Sequence, residues 1–82
     1  MRVKQLNKYL ERYVQKKNLR KKFEKQIRFL AENPSHPSLN LELLEPRAIG
    51  YYSLRLDKKY RAIFIFTSHD EIEIIDINPH YE

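Results

Sequence analysis

Eighty-two residues with no cysteine make one small domain, 1–82, which no disulfide or thiolate metal site can staple. A single glycine excludes a glycine-rich phosphate loop, and there is neither an apolar run long enough to cross a bilayer nor a secretory signal pattern, so the expected location is cytoplasmic, with no membrane partner. The net charge of +5 is unevenly spread: residues 1–31 carry eleven Lys and Arg against only Glu11 and Glu24, whereas acids outnumber bases from Glu32 onward, which favours a polyanion or an acidic protein as partner and equally suits two well-solvated helices.

Residues 4–17 pattern as an amphipathic helix, with Leu6, Leu10, Tyr13 and Val14 on one stripe and Tyr9 beside it. Asn18 breaks that pattern and is placed to cap a second helix over 19–32, whose stripe is Phe23, Ile27, Leu30 and Ala31. Asn33-Pro34 ends it, because the residue before a proline avoids the helical region. So short a junction predicts two helices packed antiparallel, on one face of a sheet.

Residues 33–50 are a connector. Pro34, Pro37 and Pro46 oppose a long helix there, while Leu39, Leu41, Leu43 and Leu44 offer anchors for a short strand or one helical turn. The stretch YYSLRLDKKYRAIFIF follows, from Tyr51 to Phe66. Tyr52, Leu54 and Leu56 alternate with Tyr51, Ser53 and Arg55; Tyr60, Ala62, Phe64 and Phe66 alternate with Arg61, Ile63 and Ile65. Period two with aromatic and β-branched content predicts strands over 51–57 and 60–67, joined by a turn at Asp57-Lys58-Lys59. Thr67 to Asp70 make another turn before a third strand over 71–78. Its alternation breaks at Ile74-Ile75, which predicts a central strand or one covered on both faces near its end. The order predicts an α+β fold, two N-terminal helices packed on a small antiparallel sheet with a three-stranded meander.

The chemistry in this chain is cationic. No HExxH or EF-hand loop is present, and His36, His69 and His80 are far apart, so neither metal nor cofactor is expected. Arg55 and Arg61 lie on adjacent hairpin strands, and His80 and Tyr81 follow the third strand. Together they are placed to converge on the open face of the sheet. Guanidinium matches phosphate oxygens, and imidazole and phenol move protons without a metal. The same spacing also fits two solvated strand arginines, an ordinary C-terminal His and a packing Tyr.

Tyr52-Ser53-Leu54-Arg55-Leu56, then Tyr60-Arg61-Ala62-Ile63-Phe64, then Ile75-Asp76-Ile77-Asn78-Pro79-His80-Tyr81 resemble the RelE/ParE superfamily of type II toxins, as does LAENPSHPSL upstream. The resemblance covers nearly the whole chain, and its His-Tyr ending is similar to the YoeB members. It implies a ribosome-dependent, metal-independent messenger-RNA endoribonuclease that inhibits translation, with a cognate antitoxin as neutralising partner, acting through an acidic segment that folds on binding. Arg55 and Arg61 would stabilise phosphate charge, His80 would be general acid, Tyr81 would position or activate the reacting group, and Lys58 and Lys59 would hold flanking RNA. Some relatives use a connector carboxylate as base; Pro37 stands at that place here, with Glu42 nearby and His36 a further candidate. The strand that opens the family fold has only Met1 to Val3 available, so it is expected to be missing or vestigial. A ParE-like inhibitor of DNA gyrase, or an inactive relative that only binds, would share the fold.

Overall fold

The computed structural model describes residues 1–79. Its elements run β1 (Arg2–Val3), α1 (Lys8–Lys16), α2 (Arg20–Glu32), β2 (Glu42–Leu43), β3 (Tyr52–Arg55), β4 (Tyr60–Ser68) and β5 (Glu71–Pro79), with 3₁₀ turns at Pro37–Leu39 and Arg47–Ile49. Among the described residues no helix is long and apolar enough to cross a membrane.

The first helix begins at Lys8, four residues later than the apolar pattern predicts. The amides of Arg2 and Lys4 donate to the carbonyls of Asp70 and Ile72, which draws the N-terminus into a two-residue strand parallel to β5. The opening strand of the family fold is therefore vestigial rather than absent. Asn7 then caps α1, its Oδ1 accepting from the Leu10 amide at 2.8 Å.

Asn18 ends α1 and does not cap α2. It sits at φ +57°, its amide donates to Gln15, and the Leu19 amide donates to Val14. That paired 5→2 and 6→1 bonding closes a helix with a left-handed residue, and Leu19 and Val14 pack together behind it in the core. The cap position of α2 is Leu19, with no side-chain bond. An ion pair from Arg20 to Glu11 ties the two helices together across this turn.

The sheet has five strands in the order β1-β5-β4-β3-β2, mixed rather than purely antiparallel. The predicted meander is its centre; the two added edge strands are two residues each, too short to show alternation in sequence. A bulge explains the Ile74-Ile75 pair. Ile63 pairs with Asp76 and Phe64 with Ile74, which leaves Ile75 without a partner. The extra residue resets the phase of β5. Ile72, Ile74 and Ile77 all reach the helix-covered face, where they join Leu10, Val14, Phe23, Leu30, Leu54, Ala62 and Phe64 in one core. Asp76 and Asn78 are turned to the other face, beside Arg61.

Candidate active site

Strand register places the two arginines. Arg55 pairs directly with Arg61, and Arg61 with Asn78, so all three share the face opposite the helices. A neighbouring row on that face runs Glu42, Ser53, Ile63, Asp76. Like charges directly opposite one another destabilise a sheet. Among the described residues, no carboxylate forms an ion pair with either arginine to offset that repulsion. A bound anion would.

The turn that brings these strands together is built on Asp57. Its Oδ1 accepts from the amides of Lys59 and Tyr60, both at 2.8 Å, and its Oδ2 accepts from Lys22 Nζ at 2.8 Å. Burial opposes ionisation of this carboxyl, but the Lys22 ammonium and the two amides outweigh it and hold Asp57 below the usual carboxylate range. The hairpin tip is thereby fastened to α2. A second fastening comes from Gln26, 5% exposed on α2, whose Nε2 donates to the Arg55 carbonyl at 2.7 Å and the Ser38 carbonyl at 3.1 Å.

Arg61 is oriented by a short chain of bonds. Its Nε donates to Asn78 Oδ1 at 3.2 Å, and Asn78 Nδ2 donates to Asp76 Oδ2 at 2.7 Å. A cavity of about 40 Å³ opens beside it, lined among others by Asn40, Glu42, Arg55, Lys58, Tyr60 and Arg61. Two guanidiniums, an ammonium and two carboxylates, Glu42 and the Asp57 already bonded to Lys22, thus surround one space. That set can hold a phosphate by its oxygens and offer a base to a nearby hydroxyl.

Of the residues expected from sequence, Arg55, Arg61 and Lys58 meet at this cavity. Lys59 does not line it; its ammonium lies 5.5 Å from the Tyr60 ring centroid. His80 and Tyr81 lie outside the described residues. Pro37 begins a 3₁₀ turn and carries no acid, but Glu42 supplies a carboxylate to the cavity from β2. Sequence named Glu42 only as a nearby carboxylate, because its placement depends on its pairing with Ser53. His36 does not line the cavity. It stacks on Phe29 at 3.8 Å and 11°, and its Nδ1 accepts from the Ser38 amide at 3.2 Å, which caps the turn that follows. Asn78, Gln26 and Asp57 were not singled out by sequence, and only Asp57, at the head of a polar turn, carried a readable signal there.

The model of the family described as "ParE toxin of type II toxin-antitoxin system, parDE" matches residues 2–82. No curated protein matches the sequence. Among solved structures, the fold is similar to a YoeB/ParE toxin from Agrobacterium tumefaciens, with a TM-score of 0.71 and 21% identity over 99% of this chain and 100% of that one. It is similar to the heterotetrameric YoeB-YefM toxin-antitoxin complex from Staphylococcus aureus, with a TM-score of 0.69 and 22% identity over 98% of this chain and 94% of that one. The YoeB dimer from the same organism gives a TM-score of 0.66 at 22% identity, with the same coverage. With the family matched over nearly its whole length and the fold shared with YoeB toxins, the chain belongs to the ParE toxin family of type II toxin-antitoxin systems, within the RelE/ParE superfamily.

Proposed function

We propose that this toxin is a ribosome-dependent messenger-RNA endoribonuclease that needs no metal and stops translation by cutting the transcript. The observation that carries this reading is the pairing of Arg55 with Arg61, without carboxylate partners among the described residues, in one cavity with Glu42. Glu42 accepts the proton of the ribose 2′-hydroxyl, and that oxygen attacks the adjacent phosphorus. Arg61 and Arg55 stabilise the added negative charge. The P–O5′ bond breaks, and His80, which follows Pro79 in sequence, donates the proton taken up by the leaving 5′-oxygen, with Tyr81 positioning the group. The products are a 2′,3′-cyclic phosphate and a 5′-hydroxyl end. Lys58 and Lys59 hold flanking phosphates.

The partner in this reading is a cognate antitoxin with an acidic segment that orders on the basic surface and blocks the cavity. The YoeB-YefM complex supports it by fold likeness. Work on ribosomes implies a cytoplasmic site of action. A second reading is inhibition of DNA gyrase, favoured by the ParE name of the matching family. The two separate in one experiment: purified toxin is added to translating ribosomes and, in parallel, to a gyrase supercoiling reaction. Cut messenger with supercoiling intact supports the nuclease. Intact messenger with supercoiling arrested overturns it in favour of the second reading, and no effect on either points to an inactive binding relative.

A further inference from the structure

Beside the cavity lies a larger cleft, of about 340 Å³, between the hairpin turn and α2. Lys22, Lys25, Ser38, Arg55, Asp57 and Lys58 line it, and it shares Arg55, Asp57 and Lys58 with the cavity. The two are thus joined along a common wall. Lys22 and Lys25 stand three residues apart on α2, hence on one helix face. Four cations face one carboxylate in this cleft, for a net of +3, and that carboxylate is already bonded to Lys22. Among the described residues Lys25 and Lys58 have no carboxylate partner. The wall is held in advance by Gln26, which bonds the carbonyls of Ser38 and Arg55.

We infer that this cleft is a flanking-phosphate subsite, which takes the sugar-phosphate backbone of single-stranded RNA one or two nucleotides from the bond at Arg61. The inference rests on reading the adjoining cavity as an RNA site. Continuity with that cavity selects RNA, because one polymer that places a phosphate between Arg55 and Arg61 must leave over a neighbouring surface, and this one carries the charge. The lining also sets the kind of contact. Among the described residues Leu56 is its only apolar member, and none with an aromatic ring lines it on which a base could stack. The groove therefore holds backbone and is indifferent to sequence.

The test uses fluorescence anisotropy with 2′-O-methyl oligoribonucleotides, which bind but cannot be cut, two or six nucleotides long and of mixed sequence, over a series of KCl concentrations. Wild-type protein is expected to bind the hexamer more tightly than the dinucleotide, with a steeper fall in affinity as salt rises. In Lys25→Ala the slope of log affinity against log salt should drop by about 0.7 for the hexamer, the value of one single-strand phosphate contact. Lys25→Glu should abolish the gain from lengthening. Dinucleotide binding and melting temperature should stay unchanged in both. A length gain and slope that survive both substitutions overturn the subsite. Displacement of the hexamer by a polyglutamate peptide at lower concentration than by unlabelled hexamer, with the same dependence on Lys25, also overturns it and assigns the cleft to a protein partner. Cleavage is scored separately: a toxin that leaves messenger intact but shows the Lys25-dependent length gain keeps the subsite and loses the nuclease reading.

Discussion

Arg61 is held by one hydrogen bond to Asn78 and, among the described residues, gives its charge to no carboxylate. Arg61→Ala is therefore expected to lower messenger cleavage a few hundredfold, about 3–4 kcal/mol of transition-state stabilisation by comparison with loss of one oxyanion donor. Its melting temperature should hardly move, because the side chain lies on the face away from the core. Leu54, fully buried on the other face, is the contrast; Leu54→Ala should cost roughly 2–5 kcal/mol of stability. Single-turnover cleavage and a thermal melt on each variant check both expectations. Glu42→Gln keeps the shape of its side chain and removes the base. It should cut the rate by roughly 10²–10⁴ while binding of an uncuttable oligonucleotide persists. If the rate is unchanged in that variant, the base is another group. These assignments differ in how far sequence reached them. Arg55 and Arg61 were legible because alternation and a three-residue turn put them on one face. Glu42 was legible only as a nearby carboxylate, because its position depends on a two-residue edge strand with no periodicity of its own.

At the scale of elements, the site depends on how the β3–β4 hairpin is fastened to α2. Gln26 is the buried fastening, and its position on α2 between Phe23 and Leu30 puts an amide in an apolar stripe. Gln26→Leu leaves the Arg55 and Ser38 carbonyls without that donor and should cost about 1–3 kcal/mol, read as a lower denaturation midpoint at unchanged slope. Asp57 is the pH-sensitive fastening. Its folded pKa lies below its ordinary value of 3.8, so its contribution is fully present above that value and is lost as pH falls through the lowered one. Asp57→Asn keeps an acceptor for the turn but drops the charge facing Lys22. Thermal melts should show wild type the more stable at pH 7, with the gap narrowing below about pH 4; a gap that is constant with pH would mean the ion pair contributes nothing. The long elements were legible because their periods run over many residues. The misread points are local backbone devices. Asn18 has the composition of a cap but a left-handed backbone that ends the helix before it. Ile74-Ile75 has the composition of a central or two-sided strand; β5 is interior, between β1 and β4, but the pair itself is a bulge. In both cases one residue type serves two geometries, and hydrogen bonding decides between them.

One sheet divides the whole molecule into a face that builds the core and a face that carries the candidate site. Two helices cover one face and bury the core, and the other face carries two opposed arginines, a carboxylate and the orienting Asn78-Asp76 pair. The vestigial β1 shows how little of the opening strand the fold requires: two residues hold the N-terminus against β5. The central claim is that the open face cuts RNA through the ribose 2′-hydroxyl. The most direct measurement gives purified toxin a ribosome-bound messenger whose nucleotide before the cut site is ribose or 2′-deoxyribose, and compares wild type with Arg61→Ala. The account predicts cleavage of the ribose messenger to 2′,3′-cyclic phosphate and 5′-hydroxyl ends, no cut at the 2′-deoxy position, and a few-hundredfold slower reaction in Arg61→Ala. Equal cutting of both messengers, or a rate untouched by loss of Arg61, would contradict it.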